Sequence, residues 1–184
     1  MTSQTLQTDQ DLVLASLDGD RLAFSDLVNR HRVGVVAVVY RMTADINMAE
    51  EAAQEAFMRA WQRLPSYKPQ YSFRNWITSI AVHGALDILR SAPTVVDIDQ
   101  LPLEDSSDRP EMELEAKERC AQVRKAVLTL APACRAVLVL REYEDLSYQE
   151  IAITLDIPLG TVMSRLNYAR NQLRRELMPL MENL

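Results

Sequence analysis

The sequence predicts an all-α chain, two small helical domains joined by a flexible acidic linker. Three observations carry this expectation. Glycine is scarce, 4 of 184 residues, while strong helix formers are common. Apolar residues recur three and four apart through several long segments, the period of one helix face. Between those segments, residues 91–110 hold Pro93, Pro102, Pro110 and the polar run Glu104 to Asp108, with no sustained period. The expected limits are 1–90, 91–111 and 112–184.

Taken in order, Thr8 can cap a first helix through Leu17, which Asp18-Gly19-Asp20 ends. A second helix is expected from Arg21 to Met42, with Phe24, Leu27, Val28, Val35, Val38 and Val39 apolar. The β-branched run Val33 to Tyr40 could pass for a buried strand, but its helical neighbours favour helix. Asn47 and Glu50 form a cap-like pair before the cleanest amphipathic stripe in the chain. That stripe runs through Ala49, Ala52, Ala53, Ala56, Phe57, Ala60, Trp61 and Leu64, and Pro65 stops it. Glu50, Gln54, Glu55, Arg59 and Arg63 show on the other face. A loop follows, P-S-Y-K-P-Q-Y-S-F-R-N-W, in which Tyr67, Tyr71, Phe73 and Trp76 alternate with Lys68 and Arg74. Aromatic faces among cations suit unpaired bases. Phe73 and Trp76 also fit the apolar stripe of the next helix, with Ile77, Ile80, Gly84 and Ile88, and Trp76 is read mainly as core. Ser72 should cap that helix, which ends near Arg90. Beyond the linker, a helix from Glu111 toward Leu130 precedes one that Pro132 starts, with Ala136, Val137 and Leu140 apolar.

The last stretch is the most informative. Ser147 and Glu150 have capping-box spacing, and Ile151, Ala152 and Leu155 give the helix they start an apolar side. Asp156-Ile157-Pro158 breaks it. A further helix places Val162, Leu166, Ala169 and Leu173 on one stripe. At about 100° per residue, Ser164, Asn167, Tyr168, Asn171 and Arg175 project opposite, with Arg170 and Arg174 on one flank and Arg165 on the other. Two short helices, a tight turn and a polar, basic outer face describe a helix-turn-helix. An ordinary surface helical hairpin is the competing reading.

Composition narrows the function. Hydrophobic residues make up 48%, enough for packed cores, and no apolar run approaches the roughly 20 residues of a membrane span. Met1 to Thr8 lacks a basic start and an apolar core, so no signal peptide and a cytoplasmic location are expected. Cys120 and Cys134 lack C-x-x-C spacing and are expected as small core residues on helices. No Walker loop, nucleophile–base arrangement or metal cluster is visible, so neither catalysis nor a cofactor is expected. The net charge of −6 is unevenly placed. Residues 1–90 carry −1, residues 91–118 carry −7 and residues 119–184 carry +2. The acidic excess lies in the middle, and both flanking parts are near neutral.

L-S-Y-Q-E-I-A followed by I-P-L-G-T-V-M-S-R-L resembles the promoter-reading C-terminal region of bacterial sigma factors of the small extracytoplasmic-function (ECF) group. N-M-A-E-E-A-A-Q-E-A-F-M-R-A-W resembles the family segment that docks on the clamp helices of RNA polymerase. Y-S-F-R-N-W-I-T-S-I-A-V-H-G-A-L-D-I-L-R resembles the segment that opens and reads the −10 promoter element. The resemblance covers about residues 9–90 and 112–178, in the family's order. It implies a sigma-2-like domain, a linker in place of a larger domain, and a sigma-4-like domain. Implied partners are core RNA polymerase (the β′ clamp and β flap), promoter DNA and an anti-sigma factor. The polymerase candidates are Glu50, Glu51, Gln54, Glu55 and Arg59. The −10 candidates are Tyr67, Lys68, Tyr71, Phe73, Arg74, Asn75 and His83. The −35 candidates are Thr161, Met163, Ser164, Arg165, Asn167, Tyr168, Arg170, Asn171, Arg174 and Arg175. Thr161 could cap its helix or meet a phosphate.

The chain departs from the family pattern in two places. Ser79-Ile80-Ala81-Val82-His83 stands where R-I-A-x-N is common, and Met163 stands where lysine or arginine usually follows T-V. Promoter preference therefore does not transfer from a relative. The linker acids Asp97, Asp99, Glu104, Asp105 and Asp108 either mimic nucleic acid in a polymerase channel or solvate a tether. Response regulators carry a related helix-turn-helix, but their phosphoacceptor α/β domain has no counterpart in this N-terminal half. Two rivals stay open, a stand-alone duplex-binding regulator and a helical protein-interaction module.

Overall fold

The computed structural model describes residues 7–69, 71–91 and 111–181; the side chains of 111–117 and 179–181 are not among those described. The linker acids Asp97 to Asp108 lie outside these residues. The described residues form eight α-helices and one 3₁₀ turn, with no strand among them. The chain divides into two compact units, Met1–Tyr40 with Asp45–Ala85, and Arg41–Ala44 with Leu86–Leu184.

In the first unit, α1 spans Asp9–Leu17. Thr8 caps it, and Asp11 completes a capping box by accepting from the Thr8 amide. Gly19, at φ +99°, turns the chain, a conformation glycine adopts without a Cβ clash. Asp20 then accepts from the Leu22 and Ala23 amides to start α2, Arg21–Thr43. The β-branched run is helical, as its neighbours predict. Val35, Val38 and Val39 are buried, while Val33 lies on the outer side and is exposed.

Helix α3 spans Ile46–Arg63, and its cap is Asp45, whose side chain accepts from the Met48 amide. The expected Asn47 cap is wrong by two residues; Asn47 stands in the first turn. Five alanines and Phe57 line the buried face of α3. Trp61, placed on that stripe by its spacing, sits at the edge instead, 38% exposed with its ring edge-on to Phe24 at 4.9 Å. Leu64–Ser66 closes the helix in a 3₁₀ turn with Pro65 inside it. Ser72 caps α4, Phe73–Ser91, by accepting from the Asn75 amide.

In the second unit, α5 (Glu111–Leu128) and α6 (Pro132–Glu142) precede α7 (Tyr148–Leu155) and α8 (Leu159–Met181). Pro132 stands at the first position of α6, where its missing N–H costs nothing. Ala136, Val137 and Leu140 are buried, and α6 packs against both α7 and α8. Arg135 is buried at the α5–α6 corner, donating to the carbonyls of Leu128 at 2.5 Å and Leu130 at 2.9 Å. These are carbonyls at the end of α5 that lack helical partners. The cysteines correct an expectation: Cys120 is exposed and Cys134 only half-buried. Burial pushes the Cys134 thiol up, partly offset by Arg165.

Candidate nucleic-acid and protein interfaces

Helices α7 and α8 are locked in place by their own ends. Ser147 and Glu150 exchange side chain-to-backbone bonds at 2.8 and 3.2 Å, the reciprocal cap their spacing predicts. Asp156 ends α7 in the left-handed conformation, φ +50°, which aspartate tolerates better than most residues. The Ile157 amide donates back to the Ala152 carbonyl at 3.0 Å. Pro158 stands before α8 rather than inside its first turn, and its carbonyl accepts from the Thr161 and Val162 amides. The corner is thus closed on both sides, and α8 leaves it at a fixed angle.

On α8 the predicted division of faces is present. Val162, Leu166 and Ala169 are fully buried and Leu173 half-buried. Ser164, Asn167, Tyr168, Asn171 and Arg175 are exposed on the far side, and Met163 and Arg174 are exposed as well. Within that row the Asn171 side-chain amide, through Nδ2, donates to Asn167 Oδ1 at 3.3 Å, and Arg175 Nε donates to the Asn171 backbone carbonyl at 3.4 Å. Ser164 donates its hydroxyl to the Thr161 carbonyl at 3.1 Å. Three candidates are less available than their spacing implies. Arg170 donates to Glu142 of α6 at 2.8 Å, and Glu142 with Tyr148 holds its guanidinium pKa up. Arg165 and Thr161 are half-buried.

The aromatic loop resolves into two groups. Phe73 is 1% exposed, so in this structure its ring is packed in the core and is not presented to solvent as the −10 assignment would need. Its neighbour Trp76 is half-buried, as is Tyr67. Lys68, Tyr71, Arg74 and His83 are exposed, and Asn75 is half-buried with its backbone N–H on Ser72. His83 is nine residues beyond Arg74 on α4, about half a turn around the helix, so the two do not share a face. The His83 ring pairs through Nδ1 with the Ser79 carbonyl at 2.8 Å.

The polar face of α3 also divides. Glu50, Glu51 and Gln54 line a groove shared with α2, together with Phe24, Val28, Arg32, Met58 and Trp61. Arg32 meets Glu50 across it at 3.2 Å. Glu55 and Arg59 are not among the groove residues and pair with each other at 2.7 Å. Sequence reasoning missed Met58 and Trp61 as groove residues. The available signal was Met58, an apolar residue one turn beyond Gln54 on the same side of the helix. Among the described residues no group of three His, Cys, Asp or Glu side chains converges as a metal site would. No helix among them is long and apolar enough to cross a membrane.

Two family models match the chain: "Sigma-70 region 2" over residues 27–93, and "Sigma-70, region 4" over residues 120–173. The chain is similar to the RNA polymerase sigma-H factor of Pseudomonas aeruginosa, 31% identical over 96% of this chain and 97% of that protein. It is also similar to the ECF RNA polymerase sigma-E factor of Escherichia coli K12, 32% identical over 94% and 96% of the two chains. Its fold is like that of CnrH, solved in complex with the cytosolic domain of CnrY. That match has a TM-score of 0.70 at 23% identity and covers 94% of this chain and 99% of that one. A second solved structure, the sigma factor RpoE of Bartonella quintana in complex with the anti-sigma factor NepR, matches with a TM-score of 0.64 at 22% identity, over 84% and 96%. With both sigma-70 regions matched in order, and ECF relatives about a third identical over nearly their whole length, the chain belongs to the ECF group of sigma factors, alternative sigma factors that direct transcription.

Proposed function

We propose that this sigma factor divides its work between 1–90, which binds core polymerase and the −10 element, and 112–184, which binds the −35 element. Residues 91–111 join the two. The observation that carries the reading is the two-faced α8: a buried stripe fixes the helix while Ser164, Asn167, Tyr168 and Asn171 are exposed together. A helix held this way can lie in a major groove with that row at base edges. Arg174 and Arg175 then meet phosphates, which position the protein without specifying sequence.

In the first unit, Glu50, Glu51, Gln54, Glu55 and Arg59 form the surface offered to the polymerase clamp. Lys68, Tyr71 and Arg74 form the surface offered to melted −10 bases, where an exposed ring among cations stacks on an unpaired base. The work is binding energy rather than bond making, and it takes place in the cytoplasm. A protein like NepR, the anti-sigma factor bound to RpoE in the neighbouring structure, is the class of partner proposed to hold the factor inactive.

Run-off transcription with purified core polymerase tests this. Core alone gives no promoter-specific product, and adding the chain yields one. The free chain, with net charges of −1 on residues 1–90 and +2 on residues 119–184, releases few counterions and binds duplex promoter weakly. Nanomolar sequence-specific binding by the free chain, with no product from core, would identify a stand-alone regulator instead.

A further inference from the structure

Tyr67 stands at the start of the loop assigned above to the −10 element, but its ring does not face solvent freely. It is half-buried in an aromatic cluster, 5.2 Å from the Trp76 ring and 6.0 Å from Phe73, edge-on to the latter. Phe73 and Trp76 are themselves 5.7 Å apart. From beneath, His31 of α2 lies 5.4 Å from Phe73. The same His31 shares a 2.8 Å hydrogen bond with Asp9 of α1, and Asp9 also accepts from Arg30 at 2.6 Å. Helix α1 packs on the Leu64–Ser66 turn from which the loop leaves. Asp9 is close enough to Tyr67 that its charge, after burial, holds the phenol pKa up. A tyrosine phenol is a hydrogen-bond donor near neutral pH, and this one donates within the loop.

Its acceptor is the Tyr71 backbone carbonyl, at 2.5 Å. Between them the Tyr71 amide donates to the Lys68 carbonyl at 3.1 Å, closing a four-residue turn with Pro69 second, a position that suits proline. So the loop is closed twice: once by its own turn, and once by a side chain anchored in the cluster. The Tyr71 ring remains exposed.

We propose that Tyr67 is a positioning residue for promoter opening. It holds the Tyr71 carbonyl so that the Tyr71 ring and Lys68 are presented at a fixed place to an unpaired base. It does not contact the base itself. This rests on the assignment of the loop to the −10 element. It reassigns Tyr67 from contact to support, and it makes α1 part of the loop's foundation through Asp9 and His31.

The test uses holoenzyme reconstituted with Tyr67→Phe, Tyr71→Ala and the double variant. Opening is followed by 2-aminopurine fluorescence at successive −10 positions. Tyr67→Phe keeps the ring and the cluster, so its melting temperature and core affinity stay at wild-type values. Opening should fall by about three- to tenfold, the worth of one well-placed hydrogen bond. Tyr71→Ala keeps the backbone carbonyl but removes the ring, and opening should fall further. Because Tyr67 acts through Tyr71, adding Tyr67→Phe to Tyr71→Ala should change opening less than twofold. If Tyr71→Ala impairs opening while Tyr67→Phe has no effect, or an independent one of equal size on both backgrounds, the positioning role is overturned and the loop assignment survives. If Tyr71→Ala leaves opening unchanged, the loop assignment fails and the positioning role fails with it.

Discussion

Residues with the same side chain do different work on α8, and their partners decide which. Arg170 is held by Glu142 of α6, whereas Arg174, one turn on, is exposed on the same flank. Arg170→Ala should therefore cost a little stability, below about 1 kcal/mol because the pair is half exposed, and leave the salt dependence of −35 binding unchanged. Arg174→Ala should leave stability alone and flatten that dependence by about one unit of slope. Thermal melting and a salt titration of holoenzyme on −35 duplex check both. An equal flattening by Arg170→Ala would mean that its ion pair opens onto a phosphate. Glu55→Lys breaks an exposed pair with Arg59 worth little to the fold. It should still cut core binding about tenfold, near 1.4 kcal/mol, by reversing a charge on the proposed docking face. A folded mutant with undiminished core binding in a pull-down would remove Glu55 from that face. The outward row of α8 was legible because it follows from helical period alone. The fate of Arg170 was not, since its partner is 28 residues away on another helix. The half-burial of Tyr67 was not legible for a similar reason: Phe73 and Trp76 fit the apolar stripe of α4, and their spacing gives no sign that they enclose a loop tyrosine.

At the scale of elements, caps and breakers were the readable part. Thr8, Ser72, Pro132 and the Ser147/Glu150 pair all start helices where their chemistry predicts. Asn47 failed against Asp45 because both residue types cap well and only geometry chooses between them. Trp61 falls at the rim because a wide ring at the end of a stripe is left beside Phe24 instead of beneath α3. The Ser147 cap carries a prediction: Ser147→Ala should destabilise the second unit by about 1 kcal/mol. The measurement is chemical denaturation, and an unchanged midpoint would contradict it. The α1 cap adds a pH dependence. Bonds from Thr8 hold the Asp11 carboxyl below the usual carboxylate range. A depressed folded pKa stabilises above the unfolded value and is lost as pH falls through the folded one, so this cap weakens only in acid.

For the whole molecule, charge and architecture agree. Neither half carries a strong positive field, and the acidic excess falls in residues 91–118. On the proposed division of work, such a protein gains promoter affinity by sharing polymerase's contacts, each half adding its part at high effective concentration. Selectivity is then proposed to come from the few exposed side chains assigned to base reading. This is also where relatives give least guidance: Met163 and His83 stand where the family pattern has other residues, and both are exposed. The most direct measurement is a selection of −35 sequences from a randomised library by holoenzyme carrying the wild-type chain, Asn167→Ala, Tyr168→Ala or Arg174→Ala. Asn167→Ala and Tyr168→Ala should each relax preference at particular base pairs, by about 1–3 kcal/mol, while Arg174→Ala weakens all sequences alike. A motif reshaped by Arg174→Ala and untouched by Asn167→Ala and Tyr168→Ala would contradict the assignment of the outward face of α8 to base reading.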